Sequence, residues 1–405
     1  MVSTRQNVIL LTVDTLRKDA LGCYGNKGEL APFVDSLEDK CIKFTKAQSI
    51  GPYTQASFPG ILTSSYYLEY GREKKLSSKR TLISEVLKKA GITTAGFHSN
   101  PYLSDFFGWN RGWDIFYDSM DIDVTPEVPY VKGDGINKKV GEWLSLYTKG
   151  KEYRPFFLWL HYMDVHEPYV PERKYIDMVD ASVSISQDEM FNLFKSVVLK
   201  RDVSDKGTVR LLKKLYDAHV REVDDYIKEF FRILEKLNLL KDSVIIVSSD
   251  HGDEFNEHGG LSHDGKMHSE LIDVPLLIYD YGRAKGEVCH TLVSNIDLSP
   301  TIVHLFGLEL VKDFEGHSLF PLGDYPKKGC FGEAIDKVGQ KEKDTDKPVY
   351  FYRENDLKII YRESENIWEM YNLKEDRKEV NNIIDTSSMA DDMKEKVRPR
   401  IRKMG

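Results

Sequence analysis

The sequence predicts an α/β fold: a mainly parallel sheet flanked by helices, with a smaller C-terminal α+β subdomain. Three observations predict it. Short unbroken apolar runs recur along the chain, amphipathic stretches separate them, and the texture turns polar and hairpin-like after Gly323. The first run, Asn7 to Val13 (NVILLTV), ends at Asp14. Runs of this length without alternation fit strands buried on both faces of a parallel sheet. Phe156 to Leu160 (FFLWL), ending at His161, is a second. Ser243 to Ser248 (SVIIVS), leading to Asp250-His251, is a third, and Val274 to Tyr279 (VPLLIY) a fourth. Between them, Thr81 to Ala90 has helical spacing and stops at Gly91, and Val209 to Leu239 is a long amphipathic stretch. Alternating strands and helices give the α/β class. Val170 to Gly207 is loosely patterned and reads as an insert or lid. Past the boundary expected between residues 322 and 323, Lys337 to Lys347 is polar and reads as a loop. Val349 to Tyr352 and Leu357 to Tyr361 then read as a hairpin, and Met389 to Lys403 as a closing helix.

The bulk properties narrow the function classes. With 405 residues, 41% hydrophobic and 30% charged, the chain has the composition of a globular protein that buries a sizeable core. A net charge of -8 argues against a nucleic-acid binder. A small anionic substrate stays open, because a bound metal ion supplies local positive charge. Cys23, Cys41, Cys289 and Cys330 are too far apart for a CxxC pair, so reduced thiols and a cytoplasmic location are expected. No run of 18 apolar residues exists, so no membrane span is expected, and the N-terminus enters its first strand without a signal-peptide core. Oligomerisation stays open.

Asp14 and Asp250-His251 follow predicted strands. Ligands of open α/β sheets bind beyond the carboxyl ends of the strands. An Asp-His pair offers one ion a carboxylate and an imidazole, and Gly252 lets the backbone turn tightly. Oxygen plus nitrogen donors suit Mn, Mg or Zn better than Ca. An N-capping Asp beside a surface His explains that motif equally well. In Gly51 to Ser64, a hydroxyl entering a helix N-terminus sits where an anion is favoured, although a plain helix cap is the commoner meaning. Four of the 11 histidines, His251, His258, His263 and His268, crowd into one short segment, which isolated structural roles explain poorly.

Five segments, in order, resemble the sulfatase branch of the alkaline phosphatase superfamily. They are Asn7 to Gly25, Ser248 to Gly259, Glu270 to Tyr279, Asn295 to Leu308 and Met370 to Ile383. The resemblance implies an alkaline-phosphatase-like catalytic domain over residues 1–322 and one divalent metal ion (Mn, Mg, Zn or Ca) held by Asp14, Asp250 and His251. It places Thr54 at the nucleophile position, where its oxygen would also touch the metal. Sulfatases carry Cys or Ser there, followed by an Arg, and convert it to formylglycine. Here the stretch is Thr54-Gln55-Ala56-Ser57-Phe58, so formylglycine is not expected. A Thr nucleophile resembles the phosphodiesterases and phosphoglycerol transferases of the superfamily, and Asp-His resembles its phosphonate monoester hydrolases. Ser57 is the fallback nucleophile. Asn100, His166 and Lys266 are implied to bind the substrate anion, and His258 or His263 to protonate the leaving oxygen. Asp164 with His166 would be the nearest source of a second metal site, at a spacing unlike the usual one. The expected activity is metal-dependent hydrolysis of phosphate or phosphonate esters. A sulfuric ester hydrolase or a phosphoryl or phosphoglycerol-type transferase is the alternative, and a non-enzymatic anion binder comes last. Substrate choice is expected in Val170 to Gly207 and around Trp109 to Asp114.

Overall fold

The computed structural model describes residues 6–72, 75–119, 124–150, 154–282, 285–338 and 342–404. The strands are β1 (Asn7–Val13), β2 (Cys41–Gln48), β3 (Thr93–His98), β4 (Ile115–Asp118), β5 (Phe156–Tyr162), β6 (Ser243–Ser249), β7 (Glu254–Phe255), β8 (Leu261–Ser262), β9 (Leu276–Asp280) and β10 (Glu287–Ser294). They are followed by β11 (Gly329–Ile335), β12 (Pro348–Glu354), β13 (Leu357–Arg362) and β14 (Ile367–Asn372). Eight of them form the central sheet in the order β10-β2-β9-β6-β1-β5-β3-β4.

Every pairing in that sheet is parallel except those of β9, which runs antiparallel to both β6 and β2. The fourth apolar run therefore enters the sheet reversed. A parallel return needs a crossover back to the opposite end of the sheet, usually by a helix. The chain between β6 and β9 instead stays at one end of the sheet, where it builds the β7–β8 hairpin and the short helix Ser269–Ile272.

β1 shows why an unbroken apolar run belongs at the centre. Ile9, Leu11 and Val13 join the core layer packed by the helix Lys206–Lys236, while Val8 and Leu10 face the layer packed by the helix Leu298–Leu305. The stretch Val170 to Gly207 is better packed than its pattern suggests. It forms the helices Arg173–Asp180 and Gln187–Leu193, and sends Tyr175, Ile176, Met190 and Val198 into the first layer. The expected hairpin is β12–β13, the middle of the antiparallel meander β11-β12-β13-β14, on which the helix Ala390–Met404 packs Met393 and Val397. All four cysteines are free thiols. Among the described residues no helix is long and apolar enough to cross a membrane.

Trp159 on β5 ties the second layer to the strand ends. It is fully buried, stacks on Trp113 and His98 at centroid distances of 5.8 and 5.5 Å, and meets Phe58 edge-on at 5.7 Å. Its indole N–H donates to Thr12 Oγ1 at 3.1 Å. Trp159→Ala is expected to cost about 3–5 kcal/mol of unfolding free energy in a denaturant titration. A cost below about 1 kcal/mol would show that this layer does not hold the strands.

Candidate active site

Four central strands deliver the site. Asp14 follows β1, His161 lies near the end of β5, Asn100 follows β3, and Asp250-His251 follow β6. Opposite them, Thr54 begins the helix Thr54–Thr63. The turn after β1 holds Thr15 at a φ of 57°, in the left-handed region, and Thr15 N–H donates to Asp250 Oδ1 at 3.3 Å. The residue after Asp14 thus fixes the second carboxylate.

These side chains converge on one point. His251 Nδ1 lies 3.0 Å from the Gly252 carbonyl and donates to it, which leaves Nε2 as the acceptor nitrogen. That Nε2 lies 3.5 Å from Asp14 Oδ1, 3.4 Å from Asp250 Oδ2 and 3.5 Å from Thr54 Oγ1. Asp14, Asp250 and His251 are all fully buried, and Asp14 Oδ1 and Asp250 Oδ2 have no hydrogen-bond partner. Two orphaned carboxylate oxygens beside a lone-pair nitrogen fit a divalent cation. The three residues form a group whose ligand atoms lie within 4.8 Å of one another.

The electrostatics agree. Burial favours a neutral Asp14, yet its hydrogen bond with His161 and the charge of His166 outweigh burial and hold its carboxyl well below the usual range. Burial and the neighbouring Asp14 push Asp250 well above it. Without a cation the pair resists carrying two charges, and a cation lets both ionise. Burial, with His263 beside it, lowers His251 to about 3, so the imidazole is neutral and ready to ligate.

Around this centre, Asn100 Nδ2 donates to Asp14 Oδ2 at 2.7 Å and to Thr54 Oγ1 at 3.4 Å. His263 stacks obliquely on His251 at 4.6 Å and meets His166 at 5.0 Å, centroid to centroid. Its Nδ1 shares a 2.8 Å hydrogen bond with Asp253 Oδ1, and Tyr169 O–H donates to the other Asp253 oxygen at 2.6 Å. His166 Nδ1 donates to the Glu167 carbonyl at 2.6 Å. Burial lowers the His166 pKa, but Asp14, Glu167 and Asp253 prevail and raise it, whereas burial takes His263 down to about 3.

The structure thus brings together Asp14, Thr54, Asn100, His166, Asp250, His251 and His263. It places His258 and Lys266 with partners outside this cluster. His258 pairs with Glu270 at 2.6 Å, and Lys266 Nζ donates to Glu254 Oε2 at 2.7 Å and to the His258 carbonyl at 2.9 Å. A cation that sequence reasoning missed is Lys337, buried with its Nζ 3.8 Å from the ring centre of Tyr53, the neighbour of Thr54. Burial lowers it to about 8. No sequence signal marked it, since it opens a polar stretch far along the chain. His161 was missed as well, although the rule that singled out Asp14 applies equally to the end of β5. Ser57 Oγ is turned onto the Thr54 carbonyl at 3.3 Å, within the helix.

Asp164 and His166 do not face one ion. Asp164 Oδ1 accepts the Gly133 N–H at 3.0 Å, and burial with nearby Glu222 raises the carboxyl to about 8. A raised carboxyl contributes stability that is full below about pH 4 and is lost as pH rises through about 8. Asp164→Asn is expected to flatten the pH dependence of unfolding across that window. An unchanged slope would sink the assignment.

Residues 6–308 match the Sulfatase family model, and residues 257–404 match the model for the C-terminal part of N-sulphoglucosamine sulphohydrolase. An arylsulfatase of Clostridium perfringens is 23% identical, covering 94% of this chain and 91% of its own. A protein solved with its substrate D-glucosamine-2-N,6-O-disulfate superposes with a TM-score of 0.79 at 21% identity, over 99% of this chain and 98% of its own. The phosphonate monoester hydrolase of Agrobacterium radiobacter gives a TM-score of 0.79 at 17% identity, over 98% and 95%.

Proposed function

Because the chain belongs to the sulfatase family and is an ester-bond hydrolase of the alkaline phosphatase superfamily, we propose that it hydrolyses small phosphate or phosphonate esters through Thr54. The observation that carries this reading is the position of Thr54 Oγ1, at a helix N-terminus, 3.5 Å from His251 Nε2 and 3.4 Å from Asn100 Nδ2. Threonine has a secondary alcohol carbon and cannot give the formylglycine aldehyde. Its oxygen can attack only as a hydroxyl or alkoxide.

Asp14, Asp250 and His251 would hold a divalent ion, which would supply Lewis-acid charge to lower the Thr54 hydroxyl pKa and offset charge on the ester oxygens. Thr54 Oγ1 attacks phosphorus in line, the bond to the leaving oxygen breaks, and a phosphoryl ester forms on Thr54. Asn100 and a protonated His166 neutralise the equatorial oxygens, where such catalysis gains most. His263, held neutral by burial and oriented by Asp253, would relay the Thr54 hydroxyl proton to the leaving oxygen. Water then cleaves the phosphorus–oxygen bond to Thr54 and restores the hydroxyl.

Sulfuric ester hydrolysis is the second reading. The family and the arylsulfatase relative favour it. The site's anion-binding groups suit either tetrahedral centre. A metal-swept assay on aryl phosphate, aryl phosphodiester, phenylphosphonate ester and aryl sulfate separates the two. The account expects metal-dependent turnover of a phosphorus ester. Turnover of aryl sulfate alone would replace it with the second reading.

A further inference from the structure

Three possible ligand groups occur among the described residues: the centre at Asp14, His251 with Asp253 and His263, which shares His251 with that centre, and His258 with His268 and Glu270, which shares no residue with either. His258 stands at the tip of the β7–β8 hairpin, His268 precedes the helix Ser269–Ile272, and Glu270 lies in its first turn. The two imidazoles stack at 3.7 Å with planes 10° apart, so their in-plane lone pairs run parallel and one ring must turn before both meet a single ion.

Their nitrogens are sorted. The outer ones face oxygen acceptors: His258 Nε2 lies 3.2 Å from the Glu379 carbonyl, and His268 Nε2 lies 3.5 Å from Glu369 Oε2. The inner ones do not both find partners. His258 Nδ1 lies 2.6 Å from Glu270 Oε1, while His268 Nδ1 is buried without any hydrogen-bond partner, in a residue only 3% exposed. An acceptor behind each imidazole is the arrangement that fixes the tautomer of metal-ligating histidines. One ligand atom from each of the three residues falls within 4.8 Å of the others.

We propose that His258, His268 and Glu270 bind a second divalent ion of the zinc class, with a structural role. Two imidazoles and a carboxylate suit Zn2+ and its Co2+ surrogate better than a hard, all-oxygen cation. The proton shared between His258 and Glu270 leaves to solvent as the ion enters. The ion ties the hairpin tip to the segment behind the catalytic loop. Gly252, next to His251, donates its N–H to the Leu271 carbonyl at 2.8 Å, and a Cβ there would lie 2.2 Å from the Glu270 carbonyl oxygen. Bracing Glu270 thereby braces the turn that presents Asp250 and His251.

The test is Co2+ titration of the full chain, read as ions bound per chain and as the visible d–d band. The wild type should bind two ions and Asp14→Asn one, still with a band. Adding His268→Gln to Asp14→Asn should abolish the remaining ion and its band, and Glu270→Gln serves in its place should that variant not fold. One ion in the wild type, none in Asp14→Asn, or an ion retained in the double variant would each overturn the proposal.

Discussion

Thr54→Ala is expected to lower kcat by at least about 10³-fold on whichever ester the wild type turns over, with metal content unchanged. The direction follows from geometry. In the proposed site Asp14, Asp250 and His251 would hold the cation without needing Thr54, so the variant should keep its ion and lose only the attacking oxygen. A mild drop of about tenfold would mean that Thr54 merely lines the site and that water attacks directly. Thr54→Ser keeps a hydroxyl at the same helix N-terminus and should recover a large part of the rate. That recovery distinguishes a nucleophile from a packing residue, because serine restores the oxygen but not the methyl group.

Asp14→Asn is expected to have the second large effect. It removes the carboxylate that the hydrogen bond with His161 and the charge of His166 hold ionised. Metal affinity at this centre should fall by more than about 100-fold, a loss exceeding that typical of supporting groups, and activity should fall with it. Stability gives an independent readout. Wild type with free metal at about 100 times Kd should gain about 2.7 kcal/mol over its metal-free form. The variant should not gain this from the first centre. It should also be no less stable than the metal-free wild type, since it relieves the repulsion that pushes Asp250 upward. A variant that bound metal at wild-type strength would remove Asp14 from the ligand set.

Much of the architecture was legible because burial on both faces leaves an unbroken apolar signature. β1, β5 and β6 are the three central strands, and each was visible as such a run. The flanking strands were not. β2 (CIKFTKAQ) and β10 (EVCHTLVS) carry charged and polar residues because part of each faces solvent near the sheet edge, and β3 (TTAGFH) is small and short. The direction of β9 was hidden because apolar content reports burial and carries no polarity along the strand.

The site divides along the same line. Asp14, Asp250 and His251 sit at strand ends, where a positional rule applies, and the family resemblance supplied Thr54 and Asn100. Lys337 could not be found, since its approach to Tyr53 is made by tertiary packing alone. His258 and His263 are equally plausible from sequence, both in the histidine-rich segment. Only the hairpin β7–β8 turns His263 toward His251 and sends His258 to Glu270.

The most direct test of the account is to quench the metal-loaded wild type during turnover of an aryl phosphate or phosphonate ester and map any covalent adduct by peptide mass spectrometry. The account predicts a phosphoryl or phosphonyl group on Thr54, absent in Thr54→Ala. An adduct on Ser57, or rapid turnover with no adduct at all, would contradict it.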